Sequence, residues 1–309
     1  MITKKSTANH EEWKALRHNY IGGSDAAAVL GMNSWVSPMA LWMEKTGRLS
    51  GFDGNLATEV GTYLEEFVAQ KFATETGKKV RKCNLSWFND QYPWAIANID
   101  REIVGEDAGL EIKTTSELNM RKFKGGEFPE NYYCQCVHYL AVTGKSKWYL
   151  AVLIGNREFK WFTIERDEDE INALMEAESA FWKYVKTNTP PPADCHPKTG
   201  DALLDLYPDS IDDAIGIGAF ERDLDNYFRL KEQKKNIEMT IDGIENRIKA
   251  HLGECARGEG EKYKVSWKTQ YRKTFDVSHF AKEHPDVDIS AYYKTSPSRP
   301  FKVTQRKVE

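Results

Sequence analysis

Asp100 and the tripeptide Glu111-Ile112-Lys113 are the residues of this chain whose types and spacing can do chemistry. An acid, a gap and then acid-x-lysine on a strand gathers two carboxylates and an ammonium around one point, a set that suits Mg²⁺ and phosphodiester hydrolysis. Side chains alternate along a strand, so Glu111 and Lys113 share a face while Ile112 points the other way into a core. Residues 94–104 have the short and β-branched side chains of a buried strand, 105–109 have turn composition, and a second strand follows at about Leu110 to Thr115. A hairpin turning at Glu106 and Asp107 sets Asp100 opposite Lys113 and diagonal to Glu111, roughly 5 to 8 Å away, a gap that one metal ion spans. The backbone carbonyl of Ile112 is a further oxygen donor, and Lys113 can orient the attacking water or stabilise charge on the phosphoryl oxygens. Taken alone, acid-x-lysine describes a solvated surface pair more often than a metal site.

The flanking elements must position these groups. Thr58 to Thr76 has helical periodicity with Gly77 as its stop, and Val60, Leu64, Phe67, Val68 and Phe72 form the apolar stripe. Glu65 borders that stripe and is a candidate third acid or an ordinary boundary glutamate; Glu66 lies nearly opposite and is expected to be solvated. A strand is expected over about Lys79 to Asn89. A second helix, Pro129 to Val142, carries Gln135-x-x-x-Tyr139, whose amide and phenol share a helical face. Strands at about Lys147 to Ile154 and Glu158 to Ile164 follow, joined at Gly155-Asn156. The order is an αβββαβ core.

Upstream, Asn9 with Glu12 has the spacing of a capping box opening a helix through Trp13, Leu16 and Arg17. In the run Ile21-Gly-Gly-Ser-Asp-Ala, Ser24 is expected as an N-cap and Gly31 as the stop of a short helix. A helix start preceded by two glycines also offers N–H groups to an anion, with Arg17 nearby to complete a pocket.

These pieces together resemble the YqaJ-type viral recombinases, relatives of the phage lambda exonuclease in the PD-(D/E)xK superfamily. They are Trp13-x-x-x-Arg17, Ile21-Gly-Gly-Ser24-Asp25-Ala, Gly61-x-x-x-Glu65, Asp100, Glu111-Ile112-Lys113 and Gln135-x-x-x-Tyr139, in order over roughly residues 9 to 165. The resemblance implies a restriction-endonuclease-like α/β fold and a metal-dependent DNA exonuclease working 5′ to 3′ from duplex ends with Mg²⁺ or Mn²⁺. It implies that Asp100 and Glu111 ligate metal, that Lys113 assists the nucleophile, that Glu65 and Gln135 support them, and that Arg17 and Ser24 bind a 5′-phosphate. It further implies a ring-shaped homotrimer, a phage single-strand annealing protein as partner, and a bacterial cytoplasm as the place of work. Ile99 stands where the superfamily's name has proline. An internally cutting endonuclease and a DNA-binding scaffold with a decayed site are the alternatives, the second opposed by intact Asp100, Glu111 and Lys113.

Composition adds limits. No run of about 18 apolar residues exists in the chain, so neither membrane insertion nor secretion is expected. Five cysteines without CxxC spacing fit a reducing compartment, and Cys83, Cys134, Cys136 and Cys195 are expected in the core rather than at an iron–sulfur cluster. The seven histidines show no zinc-ligand pairing. The net charge is −4, yet residues 259–309 hold 11 basic against 7 acidic side chains. Lys78 to Lys82 and Arg121 to Lys124 are local basic clusters, and phosphate contact needs local rather than net charge.

A domain boundary is expected near residue 190, where a helix over 167–187 meets Pro190-Pro191-Pro192, which cannot continue it. Residues 1–190 then form the nuclease-like domain and 191–309 a C-terminal module. Within the module, about Phe220 to Leu252 reads as one long helix, with Ile237, Ile241, Ile244, Ile248 and Leu252 at four- and three-residue spacing. A basic strand region from Lys262 to Phe275 and a short helix at Val277 to Glu283 complete it. The module either braces the first domain or docks protein or DNA.

Overall fold

The computed structural model describes residues 1–6, 16–52, 54–294 and 298–306. The Asn9–Glu12 capping box and Trp13 lie outside the described residues. Two compact units divide the chain, Met1–Pro208 and Asp209–Glu309.

The first unit contains two sheets. β1 (Ile2–Ser6), β4 (Leu85–Asn89), β5 (Ala95–Asn98) and β2 (Ile21–Gly22) form one, in that order. β3 (Val80–Lys82), β6 (Arg101–Ile103), β7 (Ala108–Thr115), β8 (Lys147–Ile154) and β9 (Glu158–Glu165) form the other, also in that order. Only the β7–β8 pair of the larger sheet is parallel, and helix α4 (Glu130–Thr143) lies in its crossover. With α3 (Leu56–Thr76) before the strands, the αβββαβ order holds.

Strand alternation sorts β7 and β8 between two cores. Leu110 and Ile112 pack with Tyr149, Ala151 and the α3 residues Val68, Ala69 and Phe72. Trp148, Leu150 and Val152 pack instead with Val137, Leu140 and Ala141 of α4. Each buried Val, Leu, Ile or Phe side chain among them contributes about 1.5–3 kcal/mol. Because Ile112 points toward α3, Glu111 and Lys113 point toward α4.

The two strands expected around Asp100 are each broken. Residues 79–89 divide into β3 and β4, and 94–104 into β5 and β6, so both runs leave one sheet and enter the other. A Cys83 N–H bond to the Asp100 carbonyl, 3.3 Å, ties the corner. The hairpin register also differs by two residues. Arg101 faces Leu110 and Glu102 faces Gly109, which continued one step sets Asp100 level with Glu111 rather than Lys113. The cause is Gly105, whose φ of +83° centres the turn one residue earlier than Glu106–Asp107.

α3 starts under an Asn55 cap and stops at Gly77, φ +69°. Its stripe is buried only in the second half: Val68 and Phe72 are covered, whereas Val60 and Phe67 are exposed. Gly61 faces the sheet in the first half, since a Cβ there would lie 3.2 Å from the Thr114 hydroxyl on β7. α1 (Gly23–Val29) and α2 (Pro38–Lys45) precede α3. α2 went unread in the sequence although Ser37 caps it and Pro38 opens it. α5 (Glu168–Thr187) is capped by Asp167.

The first unit runs past the triple proline to Pro208, because α6 (Thr199–Leu206) buries Ala202 beside Met39 and Trp42 of α2. The boundary expected at 190 therefore lies inside this unit. Cys134 and Cys136 are buried as expected, but Cys195 is exposed. The second unit holds α7 (Glu221–Leu252), the hairpin β10 (Arg257–Glu259) and β11 (Lys264–Ser266), and α8 (Val277–Glu283). Only three residues of the expected basic strand pair as a strand. Leu252 is buried, while Ile237, Ile241, Ile244 and Ile248 are exposed. Among the described residues, no helix is long and apolar enough to cross a membrane.

One buried polar contact clamps the first unit. His138 on α4 and Glu178 on α5 are both fully buried and 2.7 Å apart, and the other imidazole nitrogen is 3.0 Å from the Ile96 carbonyl of β5. Acceptors beside both ring nitrogens suit two N–H donors, the arrangement an imidazolium offers. Burial alone would lower the His138 pKa, but Glu178 and the Ile96 carbonyl outweigh it and the pKa is raised. Its stabilisation is present below the unfolded-state value near 6.5 and is lost as pH rises through the higher folded-state value. Glu178→Ala is expected to cost about 3–5 kcal/mol, measured by urea denaturation, and to flatten this part of the pH dependence.

Candidate active site

The corner between β5 and β6 turns the Asp100 carboxylate onto β7, where Oδ2 accepts from the Ile112 backbone N–H at 2.8 Å. On the same edge Glu111 is 3% exposed, and its Oε1 is 2.6 Å from Lys113 Nζ. From the facing helix α4, Gln135 donates through Nε2 to Glu111 Oε1 at 2.7 Å and to the Tyr139 hydroxyl at 2.8 Å. The i, i+4 pair thus acts as one unit, the phenol holding the amide and the amide holding the carboxylate. Lys113 Nζ also lies 5.5 Å from the Tyr132 ring centroid.

Two carboxylates and one ammonium in a confined space set the electrostatics. Burial, and then the Glu111 charge, push the Asp100 carboxyl well above the usual carboxylate range; Lys113 opposes this, and Glu65 adds to it. Burial would lower the Lys113 pKa, but Glu111 and Asp100 reverse that and hold it at about 12. Lys113 is therefore a fixed positive charge at neutral pH.

The donor set fits a hard divalent cation. Glu111 Oε2 is buried and makes no hydrogen bond. An orphaned carboxylate oxygen costs free energy unless something positive meets it. Asp100 and Glu111 offer oxygens only, which suits Mg²⁺. Among the described residues no group of three His, Cys, Asp or Glu side chains converges as a metal site.

The Glu65 carboxylate pairs with the Arg101 guanidinium, which also reaches Glu66 Oε2 at 3.0 Å and the Asp100 carbonyl at 2.8 Å. Glu65, a candidate third acid or boundary glutamate, is placed on Arg101, and Glu66, expected to be solvated, is exposed and shares that cation. Arg101 is buried, and with no carboxylate beside it the charge would be stranded.

A second cluster sits at the start of α1. Arg17 donates to the Ser24 hydroxyl at 3.1 Å and lies 3.6 Å from Asp25, while the fully buried Lys45 ammonium contacts Asp25 at 2.6 Å and the Arg17 carbonyl at 2.7 Å. Burial works against Asp25 ionisation, but Lys45 and Arg17 hold its pKa below the usual value. Arg17 and Ser24 line a cavity of about 790 Å³ with Trp35, Asn55 and Thr58. Ser24 is not the expected N-cap. Gly22 occupies that position, and its N–H donates to Asp25 at 3.0 Å, so Ser24 lies inside the first turn with its hydroxyl on Arg17. Gly23 has a steric reason: a Cβ there would lie 2.5 Å from the Tyr139 ring and 3.1 Å from Gln135 Cγ. The glycine run thereby seats α1 directly on the helix that holds Glu111.

Residues 12–146, which include both clusters, match the YqaJ-like viral recombinase domain. Over 293 residues the chain is 35% identical to the uncharacterized protein YqaJ of Bacillus subtilis (strain 168), covering 93% of this chain and 92% of that one. The chain belongs to the YqaJ-like viral recombinase family. The alkaline exonuclease LHK-Exo of Laribacter hongkongensis shares the fold, with a TM-score of 0.50 and 24% identity over 58% of this chain and 94% of that one. The α/β core of this YqaJ-like protein thus has the fold of that exonuclease, and the relative from Bacillus subtilis extends across the C-terminal unit as well.

Sequence reasoning found Asp100, Glu111, Lys113, Gln135 and Tyr139, which converge. It missed Arg101, Asp25 and Lys45. An arginine directly after the key acid, in a run otherwise fit for a core, was the available sign for Arg101. Lys45, alone among Met39, Leu41, Trp42 and Met43 on a buried helix, gave no hint of its partner.

Removing one of the two crowded carboxylates should stabilise this YqaJ-like protein. In EDTA at neutral pH, Asp100→Asn, which retains an acceptor for the Ile112 N–H, is expected to raise the unfolding free energy by about 1 kcal/mol, read from urea melts. A drop in stability would show that the carboxylate's charge is compensated in the folded chain.

Proposed function

We propose that this YqaJ-like protein is a metal-dependent deoxyribonuclease that degrades duplex DNA from its ends, 5′ to 3′. The observation that carries the reading is the buried Glu111 Oε2, which has no partner although Oε1 of the same carboxylate has two. Asp100, Glu111 and the Ile112 carbonyl would hold Mg²⁺ or Mn²⁺, with Glu65 near enough for its charge to be felt at Asp100. The chemistry the ion supplies when bound is a more acidic water and neutralised phosphoryl charge.

The chain's own residues do the rest. Lys113 stays protonated and serves as a fixed cation that orients the nucleophilic water or stabilises the non-bridging oxygens; its raised pKa makes it a poor general base. Gln135, held by Tyr139, fixes the Glu111 rotamer so that Oε2 remains aimed at the cation site. Arg17 and the Ser24 hydroxyl can recognise a terminal 5′-phosphate, the guanidinium as a forked donor and the hydroxyl as a single one. Lys45 neutralises Asp25 behind them, so the cluster of Arg17, Lys45 and Asp25 keeps an excess positive charge. Kinship with the viral recombinases extends the reading to a homotrimer and a phage single-strand annealing protein as partner, inside a bacterial host cell.

Asp100→Ala, Glu111→Ala and Lys113→Ala should each reduce Mg²⁺-dependent cleavage of linear duplex by at least about 100-fold, while circular dichroism shows an intact fold. Substantial Mg²⁺-dependent activity in folded Glu111→Ala would sink the mechanism.

The terminal-phosphate pocket has its own test. Linear duplex bearing a 5′-phosphate should be degraded faster than the 5′-hydroxyl form, Arg17→Ala should erase most of that difference, and covalently closed circles should survive. Rapid cutting of the circle, with indifference to the phosphate, would instead identify an internally cutting endonuclease.

A further inference from the structure

The second unit carries a sequence pattern that the nuclease reading leaves unused. Tyr263, Trp267, Tyr271 and Phe275 recur at every fourth position, and Lys262, Lys264, Lys268, Arg272 and Lys273 stand between and beside them. No acid occurs between Glu261 and Asp276. All four aromatic residues are exposed: Tyr263 by 79%, Trp267 by 50%, Tyr271 by 96% and Phe275 by 70%. Residues 267–276 form no helix, strand, turn or bend. The backbone is anchored where the run begins, by the β10–β11 pairing and the Trp267 N–H bond to the Ala256 carbonyl at 3.0 Å.

Spacing gives the pattern its meaning. In an extended chain, even-numbered offsets share a face, so the four rings line one side about 13 Å apart. Lys262, Lys264, Lys268 and Arg272 fall on the other side. Exposed rings at this density are costly to leave in water. The basic residues between them have no acid within the run, although Lys264 reaches back to Glu259 at 3.2 Å.

We propose that residues 262–275 are a binding strip for single-stranded DNA, with Tyr263, Trp267 and Tyr271 as stacking platforms and the basic side chains as phosphate contacts. Bases in a duplex hide their faces in the stack, whereas unpaired bases offer them to an aromatic ring. Basic charge alone would bind either form; the rings select the single strand. The choice of DNA as the polymer rests on the nuclease reading, but the strip needs neither Asp100 nor Glu111.

The test is fluorescence anisotropy of a labelled oligothymidylate with the full-length chain in EDTA. Wild type should bind it more tightly than duplex of equal length. Trp267→Ala with Tyr271→Ala should weaken binding by about tenfold or more per ring. Phe275 is left in place because it packs on Phe280, 5.1 Å between centroids. Lys268→Gln, Arg272→Gln and Lys273→Gln together should flatten the dependence of log affinity on log salt by about 2. All variants should keep wild-type cleavage of short duplexes in Mg²⁺. Unchanged oligothymidylate affinity in the aromatic variant would overturn the proposal, as would a preference for duplex. Loss of binding to anionic phospholipid vesicles, with DNA affinity untouched, would reassign the strip to a membrane surface. An inactive wild type that still binds single strands through these rings would overturn the nuclease reading and leave this one standing.

Discussion

The desolvation of Glu111 is the constraint on which the first unit depends. A carboxylate removed from water loses several kcal/mol of hydration and must recover it from specific partners. Lys113 and Gln135 satisfy Oε1 and leave Oε2 bare. Each partner then imposes its own demand. Lys113 must sit two residues along the same strand to share the face, which requires an unbroken β7. Gln135 must descend from a helix packed on that face, which requires the parallel β7–β8 crossover. Tyr139 must lie one turn further along the same helix, and Gly23 must be a glycine so that α1 can close over both. The chemistry and the fold are therefore linked through one buried acid.

Arg101 plays the complementary part on the opposite side of Asp100. It is a buried cation whose neighbours are Glu65, Glu66 and the Asp100 backbone carbonyl. That arrangement fastens α3 to the corner where the chain leaves one sheet for the other. It also separates the acids by contact: Asp100 lies buried beside Glu111, whereas Glu65 is ion-paired with Arg101 while its charge still reaches Asp100.

How much of this was legible in the sequence depends on the range of the interaction. Glu111, Ile112 and Lys113 declare their faces through a period of two, and Gln135 with Tyr139 through a spacing of four, so local periodicity was enough to find them. Gly77 marked the end of α3 in the same local way, whereas its Asn55 cap, three residues before the expected start at Thr58, went unread. The hairpin register was misjudged by two residues, because the composition of 105–109 allows two turn positions and only the positive φ of Gly105 decides between them. The sheet switch at Asp100 was invisible, since residues 94–104 satisfy strand periodicity from end to end. Val60 and Phe67 looked like core because a stripe on a helix does not say where the sheet beneath it ends. Arg101, Lys45 and Asp25 were missed because their partners lie far away in sequence, and a charged residue in an apolar run announces a partner without naming it.

The charge distribution resolves the conflict between a net charge of −4 and the proposed polyanionic substrate. Long-range repulsion between exposed charges fades beyond a Debye length of about 8 Å in physiological salt, so DNA responds to the groups it touches. In the first unit the groups proposed to meet it are local: Arg17 over the α1 cavity and Lys113 at the carboxylates. In the second, the acid-free run from Lys262 to Phe275 concentrates positive charge on an accessible segment. An acidic background with a few basic contacts weakens indiscriminate adhesion to nucleic acid while preserving attachment where the contacts converge. In the proposed end-degrading activity, that balance would favour repeated release and rebinding over static attachment, because each step must break the contacts it has just made.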